Sequence, residues 1–125
     1  HPSSIRIALA AKPHSDNVFL VTDAMATAGS EISGFRLNGR EVFRKDGRLT
    51  LADNTLAGAD LEMGQSIRFM TKIVQDDALN AIARATSTPA KLLPDHAGSG
   101  NFSGAPAQAI FLDSSFEHSI LFPES

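Results

Sequence analysis

Residues Val18-Phe19-Leu20-Val21 form an unbroken apolar run, closed by Thr22 and Asp23. Side chains alternate between the two faces of a strand, so four large apolar residues in succession cannot share one face. Such a run suits a strand buried on both faces, as in a parallel sheet covered by helices. Asp23 then falls at the strand's C-terminal end, the edge where α/β barrels and open α/β sheets bind ligands and place catalytic groups. A carboxylate in that position can also cap a helix or fix a turn, so both roles stand open.

A two-sided strand needs neighbours, and parallel neighbours require crossover connections. The chain begins His1-Pro2 and enters helix-like sequence at once, so this strand has no partner before it. The expectation is that these 125 residues are the C-terminal part of a larger protein. With 11 Lys and Arg against 14 Asp and Glu, the net charge of -3 gives no reason to expect nucleic acid or an anionic membrane as partner. No apolar segment approaches the ~18 residues that cross a bilayer, and no secretory leader pattern is present. The absence of cysteine rules out disulfides and thiolate metal sites within the chain and fits a reducing, cytoplasmic setting.

Ser3 and Ser4 are N-cap candidates for a first helix that carries Ile5, Ala8 and Leu9 on one side and stops at Pro13. After Asp23, residues 24–34 hold small residues and two glycines and read as a loop over the strand's end. Strand-like segments at 35–37, 40–45 and 48–51 are joined by Asn38-Gly39 and Asp46-Gly47. Both dipeptides accommodate the positive φ angles of two-residue hairpin turns, so a three-stranded meander is expected, read as an exposed structural excursion. Residues 53–58 read as a second loop. Met63, Ile67, Met70 and Val74 then lie on one helical stripe, which reads as core packing. Asp76 or Asp77 can cap a further helix that places Leu79, Ile82, Ala83 and Thr86 together. Thr88 and Pro89 suit the cap and first position of a short helix ended by Pro94. Residues 95–106 read as loop, and 109–112 and 119–122 as short strands that need a sheet to join.

None of His1, His14, His96 and His118 shows the spacing that puts two imidazoles on one ion, so each reads as solvated or structural. There is no Gly-x-Ser-x-Gly elbow, and Gly98-Ser99-Gly100 opens no helix pattern, so neither a nucleophile nor a phosphate loop assembles. Asp23 remains the candidate. A carboxylate there can act as general base toward a metal-bound water and then as general acid toward a leaving amine.

The ordered set Leu20-Val21-Thr22-Asp23-Ala24, Phe35-Arg36-Leu37-Asn38-Gly39-Arg40, Asp46-Gly47-Arg48-Leu49 and Thr55-Leu56-Ala57-Gly58 resembles the N-acetylglucosamine-6-phosphate deacetylases of the amidohydrolase superfamily. The likeness continues through Ala85-Thr86-Ser87-Thr88-Pro89-Ala90-Lys91-Leu92-Leu93 to Ile110-Phe111-Leu112-Asp113 and corresponds to the last third of such an enzyme. The resemblance implies an α/β fold: the C-terminal part of a (β/α)8 TIM-like barrel plus strands of a small β-sandwich domain. Residues 1–94 would belong to the barrel, with the meander at 35–51 as an excursion and 18–22 as the eighth strand; residues 95–125 would belong to the sandwich.

By the same resemblance, Asp23 is the catalytic residue, and Leu56, Ala57 and Gly58 contact the substrate largely through backbone groups. The implied cofactor is a divalent metal, zinc first, with no certain ligand in this chain beyond a contact of Asp23 with the metal-bound water. The family's glutamate and histidine ligands, its substrate-binding histidine and its phosphate-binding arginine belong upstream of His1. The implied reaction is hydrolysis of the acetamide of N-acetylglucosamine 6-phosphate in cytoplasmic amino-sugar metabolism. The partners are the N-terminal remainder of the enzyme and a second copy in a homodimer, and the chain alone is expected to be inactive. Ala107-Gln108 departs from the Ala-Asp of many relatives, at a structural turn. Two alternatives stand beside this reading: an amidohydrolase with a different N-acyl or cyclic amide substrate, and a non-catalytic segment that packs on a partner chain.

Overall fold

Two asparagine/aspartate–glycine steps organise the β-sheet of the molecule. In the computed structural model, which describes residues 1–14, 17–93 and 110–120, Asn38 and Gly39 have φ of 49° and 80°, and Asp46 and Gly47 have 51° and 71°. Two consecutive positive φ angles match the twist of a two-residue hairpin. They join β1 (Gly34–Leu37), β2 (Arg40–Lys45) and β3 (Arg48–Leu51) into the expected antiparallel meander. The registers are Phe35 opposite Val42 and Val42 opposite Leu51. Val42 and Leu49 are fully buried and hold one face of this sheet.

The meander has a fourth strand. Leu56–Ala59, read from sequence as the end of a loop, forms β4, antiparallel to β3. Asp53 turns the chain into it: its carboxylate accepts from the Thr55 N–H at 3.0 Å. The pairing steps from Leu49 opposite Gly58 to Thr50 opposite Leu56, which leaves Ala57 without a partner in a β-bulge. The chain divides into compact units, one of Thr22–Glu62 and one of His1–Val21 with Met63–Ser125.

The second unit is helical. α1 (Pro2–Ala10) is capped by His1, whose Nδ1 accepts from Ser3 N–H at 3.3 Å, with Pro2 in the first turn; the cap thus precedes the serines expected to supply it. α2 (Met63–Phe69) runs into a π-helical turn, Met70–Val74, which ends where Gln75 takes a left-handed φ of 67°. Gln75 N–H and Asp76 N–H both donate to Met70 O, satisfying the end of the turn. α3 (Ala78–Ala85) starts at Asp77, whose carboxylate accepts from Leu79 and Asn80 N–H. α4 (Ser87–Ala90) follows after Thr86, not Thr88, which is buried.

Ile67, Met70, Val74 and Ala81 form the core of this unit, with Ile5, Leu9, Leu20, Met63, Ile82 and Ala85 packed on it. The methionine stripe therefore packs as expected. The face of α3 is rotated from expectation: Leu79 is 77% exposed, whereas Arg84 is buried. The reason is electrostatic. Arg84 Nε donates to Asp76 Oδ2 at 2.9 Å and its Nη1 to Val18 O at 3.0 Å, partners that a hydrophobic repeat does not encode. β5 (Ile110–Leu112) and β6 (His118–Ile120) form an antiparallel hairpin whose turn is held by the Asp113 carboxylate, accepting from Ser115 and Glu117 N–H.

Residues 18–22 depart from the two-sided strand. They pair with no strand among the described residues, and Val21 is 72% exposed. The segment is held at Leu20, whose N–H donates to Arg84 O at 2.9 Å. An inner parallel strand needs neighbours on both edges, and no described strand takes that place. The expected loop at 95–106, its boundary at 94/95, Pro94 and His96 lie outside the described residues, as do the ends of the outer strands at 109 and 121–122.

Candidate functional site

Asp23 follows Thr22 in a left-handed backbone conformation, φ 53°. A non-glycine residue seldom adopts that region, and Asp is among the few that do so at small cost. Thr22 Oγ1 accepts from Ala24 N–H at 3.2 Å, fastening the bend behind Asp23. The chain then meets β4. Ala59 N–H donates to Asp23 O at 3.1 Å, Met25 N–H donates to Ala59 O at 3.1 Å, and Ala24 and Ala59 form a parallel bridge. Asp23 and the strand carrying Leu56, Ala57 and Gly58 are thus laced side by side.

Gly58 lies next to this contact and faces the Met25 side chain. Its φ is 151°, and a Cβ built there would fall 2.3 Å from Met25 Sδ and 3.7 Å from Asp23 O. The positive φ favours glycine at this position, and any side chain there would also have to displace the Met25 thioether. Ala57 sits in the bulge beside it, and bulges re-aim groups at the rims of active sites. Asp23 is exposed, and its carboxylate has no hydrogen bond or ion pair among the described residues. Leu56 is exposed, while Ala57 and Gly58 are half-buried. The site therefore offers one free carboxylate beside a stretch of main chain.

Sequence reading missed β4 itself and the residue that follows it. Asp60 is nearly buried and pairs with Arg44 of β2, whose Nε lies 2.5 Å from Asp60 Oδ2. The available signal was an arginine at the alternate position to a buried valine, Val42, in the middle strand of a meander.

For a metal ion, no three His, Asp or Glu side chains gather among the described residues. The donor set here does not fit a metal centre by itself, since one carboxylate is far short of a zinc site's ligands. His1 caps α1, His14 lies in the other unit beside Asn80, Ser87 and Lys91, and only the backbone of His118 is described. Among the described residues no helix is long and apolar enough to cross a membrane.

No family model matches the chain. Curated relatives do. It is 32% identical over 84 residues to an N-acetylglucosamine-6-phosphate deacetylase of Haemophilus influenzae, covering 66% of this chain and 22% of that protein. It is 31% identical over 113 residues to an N-acetylgalactosamine-6-phosphate deacetylase of Shewanella sp. strain ANA-3, covering 90% of this chain and 28% of that protein. In structure it is similar to the N-acetylglucosamine-6-phosphate deacetylase of Pasteurella multocida, with a TM-score of 0.82 and 26% identity over 94% of this chain and 31% of that one. The class to which sequence and fold both point is the deacetylases of phosphorylated amino sugars. The neighbours are N-acetylglucosamine- and N-acetylgalactosamine-6-phosphate deacetylases, and the chain matches part of such an enzyme, in line with the C-terminal portion expected from its motifs. It spans about a quarter of the length of these two curated relatives.

Proposed function

We propose that the full-length protein hydrolyses the acetamide of N-acetylglucosamine 6-phosphate to glucosamine 6-phosphate and acetate. The observation that carries this reading is the lacing of Asp23 to β4 through Ala59, in a chain whose relatives are deacetylases of this substrate class. A free carboxylate accepts a proton from the attacking water and returns it to the amide nitrogen as the carbon–nitrogen bond breaks. Main chain at Leu56, Ala57 and Gly58 supplies groups that fix the sugar by hydrogen bonds. A divalent metal, zinc first, with its ligands outside these 125 residues, would polarise the acetamide carbonyl and acidify the water.

In the same reading, residues 18–22 complete the last strand of a (β/α)8 barrel in the full-length enzyme, and β5–β6 joins a small β-sandwich. A cytoplasmic homodimer is part of the proposal. A second reading, the galactosamine epimer as substrate, is favoured by the Shewanella relative, whose similarity runs over most of the chain. The test is a substrate panel with full-length protein: both N-acetylhexosamine 6-phosphates, with and without the phosphate, before and after chelator. The proposal expects phosphate-dependent acetate release that chelator abolishes, with the gluco epimer preferred. Preference for the galacto epimer selects the second reading, and no acetate from any member rejects both.

A further inference from the structure

We propose that Arg44 is a positioning residue for the Asp23–Gly58 site, an inference that rests on the deacetylase reading above. The meander then has a function: it delivers this one side chain. Alternation along β2 puts Arg44 on the same face as Val42, and the pairing sets Leu49 directly opposite it. Val42 and Leu49 are both fully buried. Arg44 itself lies at the open end of that face and stays exposed, with its guanidinium reaching toward neighbouring segments.

Two of the three guanidinium nitrogens of Arg44 bond to two separate segments. Its Nε donates to Asp60 Oδ2 at 2.5 Å, and its Nη1 donates to Ser30 O at 2.6 Å and Ile32 O at 3.5 Å. Its backbone N–H adds a bond to Ser33 O at 2.9 Å. Ser30, Ile32 and Ser33 close the loop that leaves Asp23. Asp60 directly follows Ala59, the residue whose N–H and C=O bind Asp23 O and Met25 N–H. One planar fork therefore ties the loop after the carboxylate to the strand that carries Leu56, Ala57 and Gly58. The Asp60 carboxylate is only 5% exposed, while the Arg44 side chain keeps 33% of its surface in contact with solvent. An ammonium has a single nitrogen and cannot span the same acceptors, so lysine is not equivalent here. Arg44 touches none of the proposed reacting groups; it acts through the geometry of the two segments.

The experiment compares Arg44→Met and Arg44→Lys with wild type in the full-length protein, with kinetics normalised to folded enzyme. Misplacement of a reacting group by about 1 Å costs of order 10²-fold in rate. Arg44→Met is expected to lose on that order in kcat and to raise KM, with Arg44→Lys recovering only part of the loss. A purely structural role would lower yield or Tm and leave kcat and KM of the folded fraction at wild-type values, and that result overturns the proposal. Hydrogen exchange gives a readout that does not depend on the reaction. The amides of Met25 and Ala59 are expected to exchange about tenfold faster or more in Arg44→Met, the scale of one lost charge-assisted hydrogen bond, with α3 unchanged. If wild type releases no acetate, the deacetylase reading fails, and exchange alone decides whether the clamp exists: wild-type rates at both amides overturn it.

Discussion

Gly58→Ala is the substitution whose cost follows most directly from the geometry. Two effects act. Gly58 has φ 151°, where a residue with a Cβ is strained, and such sites cost about 1–3 kcal/mol. The new Cβ would also lie 2.3 Å from Met25 Sδ and 2.7 Å from Met25 Cγ. Overpacking of that kind costs about 1–3 kcal/mol, less where a flexible thioether can swing aside. The sum is roughly 2–6 kcal/mol. Gly39 provides the control: its φ is 80° and nothing lies within 4 Å of its Cβ position, so Gly39→Ala carries the backbone part alone. Native-state hydrogen exchange at the Met25 and Ala59 amides reads the result locally, in full-length protein. At ~1.4 kcal/mol per tenfold, Gly58→Ala should speed exchange by about 30-fold or more. Adding Met25→Ala should restore the packing share and leave the backbone share. Exchange in Gly58→Ala at the wild-type rate would refute the close approach. An added Met25→Ala without effect would refute Met25 as the obstacle.

Other outcomes are expected from single side chains. Arg84→Met strands the Asp76 carboxylate, whose side chain is 10% exposed, and should destabilise the protein by ~3–5 kcal/mol in thermal or urea unfolding; a loss below about 1 kcal/mol would show that the pair is not buried in solution. Asp77→Ala removes the α3 cap and should cost ~1 kcal/mol, with faster exchange confined to the first turn of α3. Hydrogen bonds from the Thr55 backbone and side chain hold the Asp53 carboxyl below its ordinary value of 3.8. The folded pKa is the lower one, so the turn's contribution is complete above that value and fades as pH falls through the lowered one. An NMR titration of the Thr55 amide with its midpoint at or above 3.8 would contradict this.

How much was legible depended on whether a rule is local. Asn38-Gly39 and Asp46-Gly47 specify their own φ angles, so the three-stranded meander could be read directly. Leu56-Ala57-Gly58-Ala59 has no β-branched residue and a glycine, so nothing local marks it as a strand; β3 and the Asp23 segment make it one. Periodicity placed Met63, Ile67, Met70 and Val74 in the core because their packing is apolar. It failed on α3, where burial of Arg84 depends on a carboxylate and a carbonyl from other segments. The Val18–Val21 run shows the same limit from the other side, since a run of apolar residues states a demand for neighbours without supplying them. In the candidate site, Asp23 and Gly58 stood out by residue type and motif. The Arg44–Asp60 pair is a tertiary meeting and left only an arginine on the Val42 face of β2 as a clue.

The most direct test of the account measures acetate release from N-acetylglucosamine 6-phosphate by full-length, metal-loaded enzyme, wild type beside Asp23→Asn. The account predicts turnover by wild type and a loss of at least ~10²–10⁴-fold in kcat for Asp23→Asn, with a smaller change in KM. Near-normal kcat in folded Asp23→Asn would contradict the role of Asp23, and an inactive wild type would contradict the assigned reaction.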